Sequence, residues 1–529
     1  MFCLLALILA GIGGKLFYIT LKEPTEAAAS QNRRAITVAT TRGTIYDRQL
    51  RPLVNEEKAY YAALMPDEKL LADISAKTEP ADYETLLEQL SAGYPAAVRL
   101  NGPVDLTDGL RLFRVPQRYG TRLLAPHVIG YLESGGQHGA TGIEAACDAL
   151  LTQFNGQAVA AFAVDGSGMC LSGVAPSVTD TTDRSAGGVV LTLDKDIQTI
   201  VEDLAPDYID RGAVVVLEPK TGAILAMASF PSFQPATVFE SMKEDNGALL
   251  NRALSLYDCG SVFKIITAAA ALESGVSPRQ EYVCSGGMMV QNNTFHCHYR
   301  LGHQHLQMPA AFAQSCNLYF IQLAQQTGAA TLSAMANTFG FGRVITLADG
   351  ISTQMPVFPS VTELEASPAA LANLSFGQGK LMTTPLHVAQ IIAAVANNGE
   401  MPSVHLIAGQ MDENAQFTKA SIEDSYTILS LSTAQKLQEM MATVVTQGTG
   451  RQAAPTLCSA AGKTGTAETG QVRGEKAVVQ SWFAGYFPAE EPQYAVAILG
   501  EDANNANAQT AKLFSALADK LYETKKTDQ

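Results

Sequence analysis

Pairs of strand-like segments begin and end the second half of the chain, and this arrangement restricts the fold more than any other feature. Two short apolar runs, 213–217 and 223–228, flank a turn-forming stretch at 218–222, as in a β-hairpin. Two more strand-like runs, 481–487 and 494–499, lie near the C-terminal end, and helical patterns occupy most of the sequence between. Strands at both ends of a domain favour one antiparallel sheet closed by both termini, in an α+β fold.

Helical patterns adjoin these strands in the sequence. Asp194 is a typical N-cap residue and precedes apolar residues at helical spacing. Leu513, Leu517 and Leu521 lie four residues apart and form the apolar stripe of a last helix. We therefore expect helices to accompany the strands at both ends of this half.

The chain is too long for a single hydrophobic core. Its 529 residues predict two or three domains, and the polar, turn-rich residues 179–188 have the composition of a linker. The formal net charge of −15 argues against nucleic acid as a partner and against docking on anionic lipid head groups.

The N-terminus carries an apolar run of the length that a membrane helix needs. Residues 2–14 are uninterrupted by charge, and 16–21 continue the run past Lys15. We predict a retained anchor over 1–21, with Lys15 snorkelling near one end. A cleaved signal peptide is the alternative, because 27–29 are alanines, although these lie far beyond the apolar run.

The string Ser-Val-Phe-Lys at 261–264 supplies a possible nucleophile and its base. An apolar, alanine-rich helix follows at 265–272, and Gly275 is well placed to end it. Ser261 then lies at a helix N-terminus, where backbone N–H groups favour developing negative charge. Lys264 follows one helical turn later, so its side chain lies on the same face of the helix as that of Ser261. Ser-x-x-Lys alone is common, roughly two per chain of this length, so an ordinary helix start with a surface lysine is the alternative.

The protonation state of Lys264 decides whether it can serve as a base. Phe263 and Ile265 flank it, and desolvation lowers the pKa of a lysine. A second cation nearby, Lys463, would lower that pKa further. A neutral Lys264 could take the proton from Ser261, which is otherwise a poor nucleophile.

Two further sequence strings support a catalytic interpretation of residues 261–264. Ser315 and Asn317 flank one residue, so on a turn both could face one cleft, where the serine relays a proton and the asparagine binds the lysine and a substrate amide. Lys-Thr-Gly occurs twice. The copy at 220–222 lies in the expected hairpin turn and is interpreted as structural, whereas the copy at 463–465 precedes the late strands.

The downstream string, 463–466, has the composition of a carboxylate-binding strand. Lys463 offers a fixed charge, and on a strand it would face the same way as Gly465, opposite to Thr464 and Thr466. Gly465 would leave room for a substrate backbone to pair along the strand edge. The backbone N–H groups of Ser261 and Thr466 could form an oxyanion hole.

Together the three strings resemble the signature of the penicillin-binding and serine β-lactamase superfamily. The chain as a whole resembles class B penicillin-binding proteins, the membrane-anchored D,D-transpeptidases of peptidoglycan synthesis. Residues 42–48 and 142–144 are similar to motifs of their non-catalytic pedestal, and residues 228–231, 377–379 and 384–386 to landmarks of their catalytic domain.

This resemblance implies an α+β chain of three parts. These are a membrane anchor at 1–21, an elongated mixed pedestal domain at 30–185, and a transpeptidase domain at 186–523 with a five-stranded antiparallel sheet flanked by helices. Lys22, Arg33 and Arg34 follow the apolar run and no basic residue precedes it, so the positive-inside rule does not favour an outside catalytic domain. The resemblance alone places that domain on the extracytoplasmic side of the cell membrane.

The resemblance also implies a mechanism. Ser261 would attack the penultimate D-alanine carbonyl of a stem peptide ending in D-Ala-D-Ala, while Lys463, Thr464 and Thr466 hold the terminal carboxylate. An amine from a neighbouring strand would then attack the acyl-enzyme and make the cross-link. β-Lactams would acylate the same serine, a membrane glycan polymerase is the expected partner, and the chemistry requires no cofactor.

Three cysteines and one histidine form a regular series that suits a structural metal. Cys284, Cys297, His303 and Cys316 are separated by twelve, five and twelve residues. Three thiolates and an imidazole suit tetrahedral zinc, and some class B relatives carry zinc with ligands at similar spacing. A disulfide, as exported proteins often form, and free thiols are the alternatives.

Other functions share parts of this pattern. A β-lactamase would need a carboxylate to activate a deacylating water, and Glu363 and Glu365 lie between the second and third strings without the usual spacing. A D,D-carboxypeptidase would use water in place of the acceptor amine. A non-catalytic penicillin sensor or a scaffold for a wall-synthesis complex is the alternative from a different class.

Overall fold

The structure is a computed structural model. It describes residues 11–15 and 32–527, except 106, 108, 172–173, 245, 474–475 and 502–505. Most of the predicted anchor at 1–21 lies outside the described residues. Within the described ones, no helix combines the length and the apolar character needed to cross a bilayer.

The chain divides into two compact units that alternate along the sequence. Among the described residues, the first unit contains those within 1–43, 54–120 and 153–187, and the second contains those within 44–53, 121–152 and 188–529. The chain therefore passes from the first unit to the second more than once.

The first unit is built from two antiparallel three-stranded sheets. One sheet has the strand order Arg33–Thr41, Gly156–Ala163, Ser177–Asp180, and the other has the order Ala96–Leu100, Lys58–Leu64, Leu110–Pro116. The second sheet buries Leu64 against two helices, Glu68–Ser75 and Pro80–Ser91. A short 3-10 helix, Thr182–Ala186, completes the unit.

A five-stranded antiparallel sheet forms the centre of the second unit. Its strands are β1 (Gly212–Leu217), β2 (Ile224–Phe230), β3 (Ala461–Arg473), β4 (Lys476–Phe487) and β5 (Tyr494–Glu501). They pair in the order β2-β1-β5-β4-β3, so the early hairpin joins the late strands through β1 and β5. The predicted sheet closed by both ends of the domain is confirmed, and β3 is left at one edge.

Helices cover both faces of this sheet. Five of them are used below: α1 (Lys195–Leu204), α2 (Lys264–Glu273), α3 (Asn317–Thr327), α4 (Leu431–Thr446) and α5 (Ala506–Thr527). Helices α1 and α5 pack on one face, where Val201 and Leu517 meet Val214 and Phe483. Helix Pro385–Ala396 packs on β5, and α4 packs on β3. Asp194 caps α1 as predicted, because its carboxylate accepts from the backbone N–H groups of Asp196 and Ile197.

Smaller elements surround this core. A four-stranded sheet has the order Thr44–Tyr46, Gly188–Leu191, Ile407–Met411, Phe417–Lys419. Two-stranded ladders pair Tyr257–Asp258 with Met382–Thr383, Glu281–Cys284 with Gln304–Gln307, Gly287–Val290 with Asn293–His296, Thr346–Ala348 with Ile351–Ser352, and Glu400–Met401 with Tyr426–Thr427. The further α-helices are Pro126–Ile129, Gly142–Ala146, Asp148–Gln153, Val238–Ser241, Met308–Ala313, Ala329–Thr338, Val361–Ala366 and Pro368–Ser375. The 3-10 helices of this unit are Ala205–Asp207, Pro235–Thr237, Arg252–Leu254, Gly260–Phe263 and Arg451–Ala453.

Candidate active site

Ser261 lies in a 3-10 turn, Gly260–Phe263, that runs directly into α2. The backbone of this turn passes very close to the backbone at Gly377, and the contact requires glycine in both segments. Gly260 has φ +58°, and a Cβ on Gly377 would come within 1.7 Å of the Gly260 carbonyl oxygen. Gly275 has φ +87° just beyond the C-terminal end of α2, as predicted.

Lys264 is the first residue of α2 and is completely buried. Its Nζ lies 3.1 Å from Ser261 Oγ and 3.1 Å from Ser315 Oγ. It also donates to two atoms that can only accept, the Ser315 carbonyl oxygen and Asn317 Oδ1, each at 2.7 Å. A neutral amine has two N–H groups, which these acceptors use, so its lone pair is left for the hydroxyl groups.

Burial shifts the protonation equilibrium of Lys264 toward this neutral form. Burial lowers the pKa of Lys264 to about 7, although the Cys316 and Cys297 sulfurs act in the opposite direction. Burial also lowers the pKa of Lys463, and the neighbouring charge of Lys264 adds to that effect. Two buried amines thus share a site in which a positive charge is poorly solvated.

Ser315 and Asn317 reach the lysine because the chain turns sharply between two helices. Ser315 has φ +52°, a left-handed conformation that is uncommon for a residue with a side chain. Cys316 is the N-cap residue of α3, and Asn317 begins that helix. As predicted, Ser315 and Asn317 lie in one cleft, and both contact Lys264 there.

Strand β3 brings the third string to the same place. Lys463 Nζ donates to Ser315 Oγ at 3.0 Å and to the Thr464 carbonyl oxygen at 3.1 Å, and its side chain is completely buried. Thr464 and Thr466 face the cavity. Lys463 therefore lies behind the cavity wall, where the Ser315 hydroxyl joins it to Lys264.

The structure gives Gly465 a packing reason that the sequence did not predict. A Cβ at this position would lie 3.0 Å from Val262 Cγ2 and 3.0 Å from Trp482 Cβ. Glycine is thus needed so that β3 can approach the turn that carries Ser261. The protein's own chain takes the space of the missing side chain, and pairing of a substrate backbone along the strand edge stays a prediction.

These residues surround an open cavity of about 600 Å³. Its wall consists of Ser261, His298, Ser315, Asn317, Asn373, Phe376, Gln378, Thr449, Thr464, Thr466 and Glu468. Sequence reasoning missed Asn373, Phe376, Thr449 and Glu468. The signal for Thr449 is its place between two glycines just upstream of β3, and its hydroxyl oxygen lies 2.9 Å from Thr464 Oγ1.

The four predicted metal ligands come together beside this cavity. Their ligand atoms lie within 4.8 Å of one another. Cys297 Sγ is 3.9 Å from Cys316 Sγ, and His303 Nδ1 lies 3.5 Å from Cys297 Sγ and 3.6 Å from Cys284 Sγ. Zinc held tetrahedrally by such ligands would space two sulfurs by about 3.8 Å and a sulfur and nitrogen by about 3.6 Å. The donor set therefore fits zinc, and the sulfur separation is far longer than a disulfide bond.

Two short hairpins shape this cluster. Cys284 ends the strand that pairs with Gln304–Gln307, and Cys297 follows the strand Asn293–His296. Gly302 has φ +78°, and a Cβ there would lie 2.2 Å from the Cys284 carbonyl oxygen. Cys316 joins the cluster from the N-terminus of α3, so the cluster touches the turn that contains Ser315 and Asn317.

Comparison with known proteins agrees with this geometry. The family described as "Penicillin binding protein transpeptidase domain" matches residues 212–521. This chain belongs to that family. The peptidoglycan D,D-transpeptidase PbpA of Mycolicibacterium smegmatis is 32% identical over 478 residues, which is 83% of this chain and 90% of that protein.

Solved structures of the family have the same fold. A D,D-transpeptidase domain of a peptidoglycan glycosyltransferase from Eggerthella lenta is 28% identical, with a TM-score of 0.65 over 91% of this chain and 98% of that one. Penicillin-binding protein 3 from Mycobacterium tuberculosis, complexed with aztreonam, is 25% identical with a TM-score of 0.65, over 93% of this chain and 97% of that one. The resemblance to class B penicillin-binding proteins inferred from the motifs is confirmed.

Proposed function

We propose that this protein is a serine D,D-transpeptidase that cross-links peptidoglycan stem peptides through an acyl-enzyme on Ser261, and that β-lactams acylate the same residue. The observation that carries the proposal is the environment of Lys264 Nζ, 3.1 Å from Ser261 Oγ, with two acceptor-only partners at 2.7 Å. A neutral amine held in this way takes the serine proton as the hydroxyl attacks a carbonyl.

The other cavity residues divide the remaining tasks. The backbone N–H groups of Ser261 and Thr466 hold the oxyanion, a contribution of about 3 kcal/mol for one donor in the transition state. Thr464 and Thr466 bind the terminal carboxylate through their hydroxyl groups, with the buried Lys463 amine behind them. Ser315, which contacts both Lys264 and Lys463, passes the proton toward the leaving amine. The acceptor amine then enters on the side that the terminal D-alanine has left.

The first experiment labels the protein with a fluorescent penicillin. We expect stoichiometric, covalent labelling of the wild type and none in Ser261→Ala. Retained labelling in the variant would rule out Ser261 as the nucleophile, and no labelling of the wild type would rule out the proposed activity. A product assay with and without an amine acceptor separates a transpeptidase from a D,D-carboxypeptidase.

A β-lactamase is disfavoured by the positions of the two glutamates that the sequence offered for it. Glu363 does not line the cavity described above; it closes a capping box with Ser360 and binds Lys380 at 2.7 Å. That contact lowers the pKa of Glu363 to about 2, which makes it a poor base. Glu365 is exposed on the same short helix and is absent from the cavity wall.

We also propose that Cys284, Cys297, His303 and Cys316 hold one structural zinc ion. The support is that three separations, Cys297–Cys316, Cys297–His303 and Cys284–His303, match a tetrahedron, and that all three cysteines are buried. All four ligands come from the protein, so no position is left for a reactive water. Zinc would hold Cys316 in place and thereby steady its neighbours Ser315 and Asn317.

Elemental analysis tests this second proposal. We expect one zinc per chain, lost in Cys297→Ser and retained in Cys458→Ser, which changes a half-buried cysteine outside the cluster. Protein without zinc would rule this proposal out. A cluster cysteine that becomes reactive only after reduction would then indicate a disulfide, and one that reacts without reduction would indicate free thiols.

Finally, we propose that residues 1–21 anchor the protein in the cell membrane with the catalytic unit outside, where a membrane glycan polymerase would be its partner. The support is the apolar run of the sequence and the family's resemblance. Membrane fractionation with alkaline extraction, and protease treatment of intact cells, test this. Full-length protein that is released by alkali, or that resists added protease, would contradict it.

A further inference from the structure

The turn that carries Ser261 is held from behind by a carboxylate of the central sheet. Tyr257 and Asp258 form the short strand that leads into this turn, and Tyr257 is buried. The Tyr257 hydroxyl donates to Glu501 Oε1 at 2.7 Å. Burial and the adjacent Glu501 carboxylate raise the pKa of Tyr257, so the hydroxyl keeps its proton and remains a donor at neutral pH.

Glu501 is itself fixed by two arginines. It is the last residue of β5, and its side chain is only 12% exposed. Its Oε1 also accepts from Nε of the buried Arg252 at 3.0 Å, and its Oε2 lies 3.5 Å from Arg211 Nε. Arg252 and Arg211 donate in turn to the carbonyl oxygens of Gly247 and Asn246, each at 2.7 Å. Charged partners on both oxygens give the carboxylate a defined position from which to hold the tyrosine.

The backbone of the next residue is attached to the same sheet. The Asp258 N–H donates to Gln480 Oε1 at 2.6 Å, and the Asp258 carbonyl oxygen accepts from Trp482 Nε1 at 2.9 Å. Gln480 of β4 is the pairing partner of Glu501 on β5. The sheet therefore holds this short strand at two successive residues, by the side chain of Tyr257 and by the backbone of Asp258.

A small shift of this strand would reach the reacting atoms. The turn touches β3 through backbone, because a Cβ on Gly260 would lie 2.6 Å from the Thr466 carbonyl oxygen. The two N–H groups assigned to the oxyanion hole, those of Ser261 and Thr466, lie on these two segments. Ser261 Oγ also needs its 3.1 Å separation from Lys264 Nζ. A displacement of about 1 Å at such a site lowers a rate by up to about 100-fold.

We propose that Glu501 is a positioning residue for Ser261 that acts through the Tyr257 hydroxyl. It holds the strand behind the turn, so that the hydroxyl and the N–H of Ser261 stay aligned with Lys264 and Thr466. Glu501 is absent from the cavity wall, so it acts on the acylation step and not on the binding of the β-lactam that precedes it. This inference rests on the proposed acylation of Ser261.

The test removes the hydroxyl alone, with Tyr257→Phe. Stopped-flow labelling over a series of fluorescent penicillin concentrations gives two constants, the limiting rate of acylation and the dissociation constant of the complex that precedes it. We expect the limiting rate to fall about tenfold and the dissociation constant to stay within about twofold of the wild-type value. Because only folded protein is acylated, a loss of stability alone does not lower this first-order rate.

Two further substitutions separate positioning from packing. Thr192→Val is the control, because it removes a buried hydrogen bond of 2.8 Å, to the Ile224 carbonyl oxygen, outside the cavity; we expect the wild-type limiting rate. Glu501→Met removes the carboxylate at a similar side-chain length, and it should slow acylation at least as much as Tyr257→Phe. Combining Glu501→Met with Tyr257→Phe should bring no further loss, since both break one contact.

Three results would overturn this inference. One is a limiting rate of Tyr257→Phe within about twofold of wild type, another is losses that multiply in the double variant, and the third is an equal loss in Thr192→Val. If Glu501→Met does not fold, the comparison of Tyr257→Phe with Thr192→Val decides. Penicillin labelling keeps the two proposals apart: a labelled wild type with any of these results refutes the Glu501 assignment alone, whereas an unlabelled wild type refutes both.

Discussion

Replacing Lys264 by methionine should abolish acylation while leaving the fold nearly as stable as before. Burial lowers the pKa of Lys264 from 10.5 to about 7, a shift that corresponds to about 5 kcal/mol. Because the unfolded chain keeps this proton, the cost to folding is full below pH 7 and fades between pH 7 and 10.5. Methionine, which has a similar length, removes that cost.

The substitution also leaves two buried acceptors without their donor. These are the Ser315 carbonyl oxygen and Asn317 Oδ1, each 2.7 Å from Lys264 Nζ. An unsatisfied buried acceptor costs about 1–3 kcal/mol, so the two together cost about 2–6 kcal/mol. The terms nearly cancel, and we expect the free energy of unfolding at pH 7 to change by less than about 2 kcal/mol.

Activity should respond very differently. Loss of a general base lowers a rate by about 10²–10⁴-fold, because Ser261 then has no group to take its proton. Stopped-flow acylation by a fluorescent penicillin measures this rate, and urea unfolding measures stability. Lys512→Met, which changes an exposed lysine on α5, is the matched control. Acylation of Lys264→Met within tenfold of the wild-type rate would refute the base assignment, and a stability loss above about 4 kcal/mol would refute the balance of terms.

Three further predictions concern the same cavity. Acylation of the wild type should rise about tenfold per pH unit below pH 7 and level off above it, because a protonated Lys264, whose pKa is about 7, cannot act as a base; a rate independent of pH from 5 to 9 would contradict this. Gly465→Ala should lower the free energy of unfolding by about 1–3 kcal/mol and slow acylation, because its Cβ would crowd Val262 Cγ2 at 3.0 Å; wild-type values in calorimetry and acylation would refute it. Thr449→Val should slow acylation by carboxylate-bearing β-lactams about two- to tenfold through loss of the 2.9 Å contact with Thr464, whereas Thr449→Ser should retain the rate; equal loss in both variants would point to packing instead.

Local sequence patterns were sufficient for much of the second unit. The hairpin around residues 218–222 and the N-cap at Asp194 depend on turn and capping chemistry within a few residues, and both are present. The strands extend somewhat beyond the apolar runs that predicted them, as with β4, because pairing with β3 and β5 continues past the apolar run. Contacts from distant segments decide where pairing ends, and a local pattern does not contain them.

The chemistry of the site was predictable only as a set of residue types. The sequence supplied a serine, two lysines and an asparagine in three ordered strings, and it supplied the cysteine and histidine spacing of the metal cluster. It did not contain the positions of Thr449 and Glu468 in the cavity wall, since a threonine between glycines and a glutamate on a strand are ordinary surface features. Both positions depend on how β3 is placed in the folded unit.

What the sequence determined by itself is the identity and order of the reactive groups and the helices and strands that carry them, because these follow from side-chain chemistry and from periodicity over short distances. What only the tertiary structure decided is the state of those groups. The pKa of Lys264 is lowered to about 7 because burial removes its amine from water, and among the residues that enclose it are Ser315 and Asn317, more than fifty residues away in the chain. Desolvation and hydrogen bonding act through space, so the pKa of a lysine belongs to its surroundings and not to its place in the sequence.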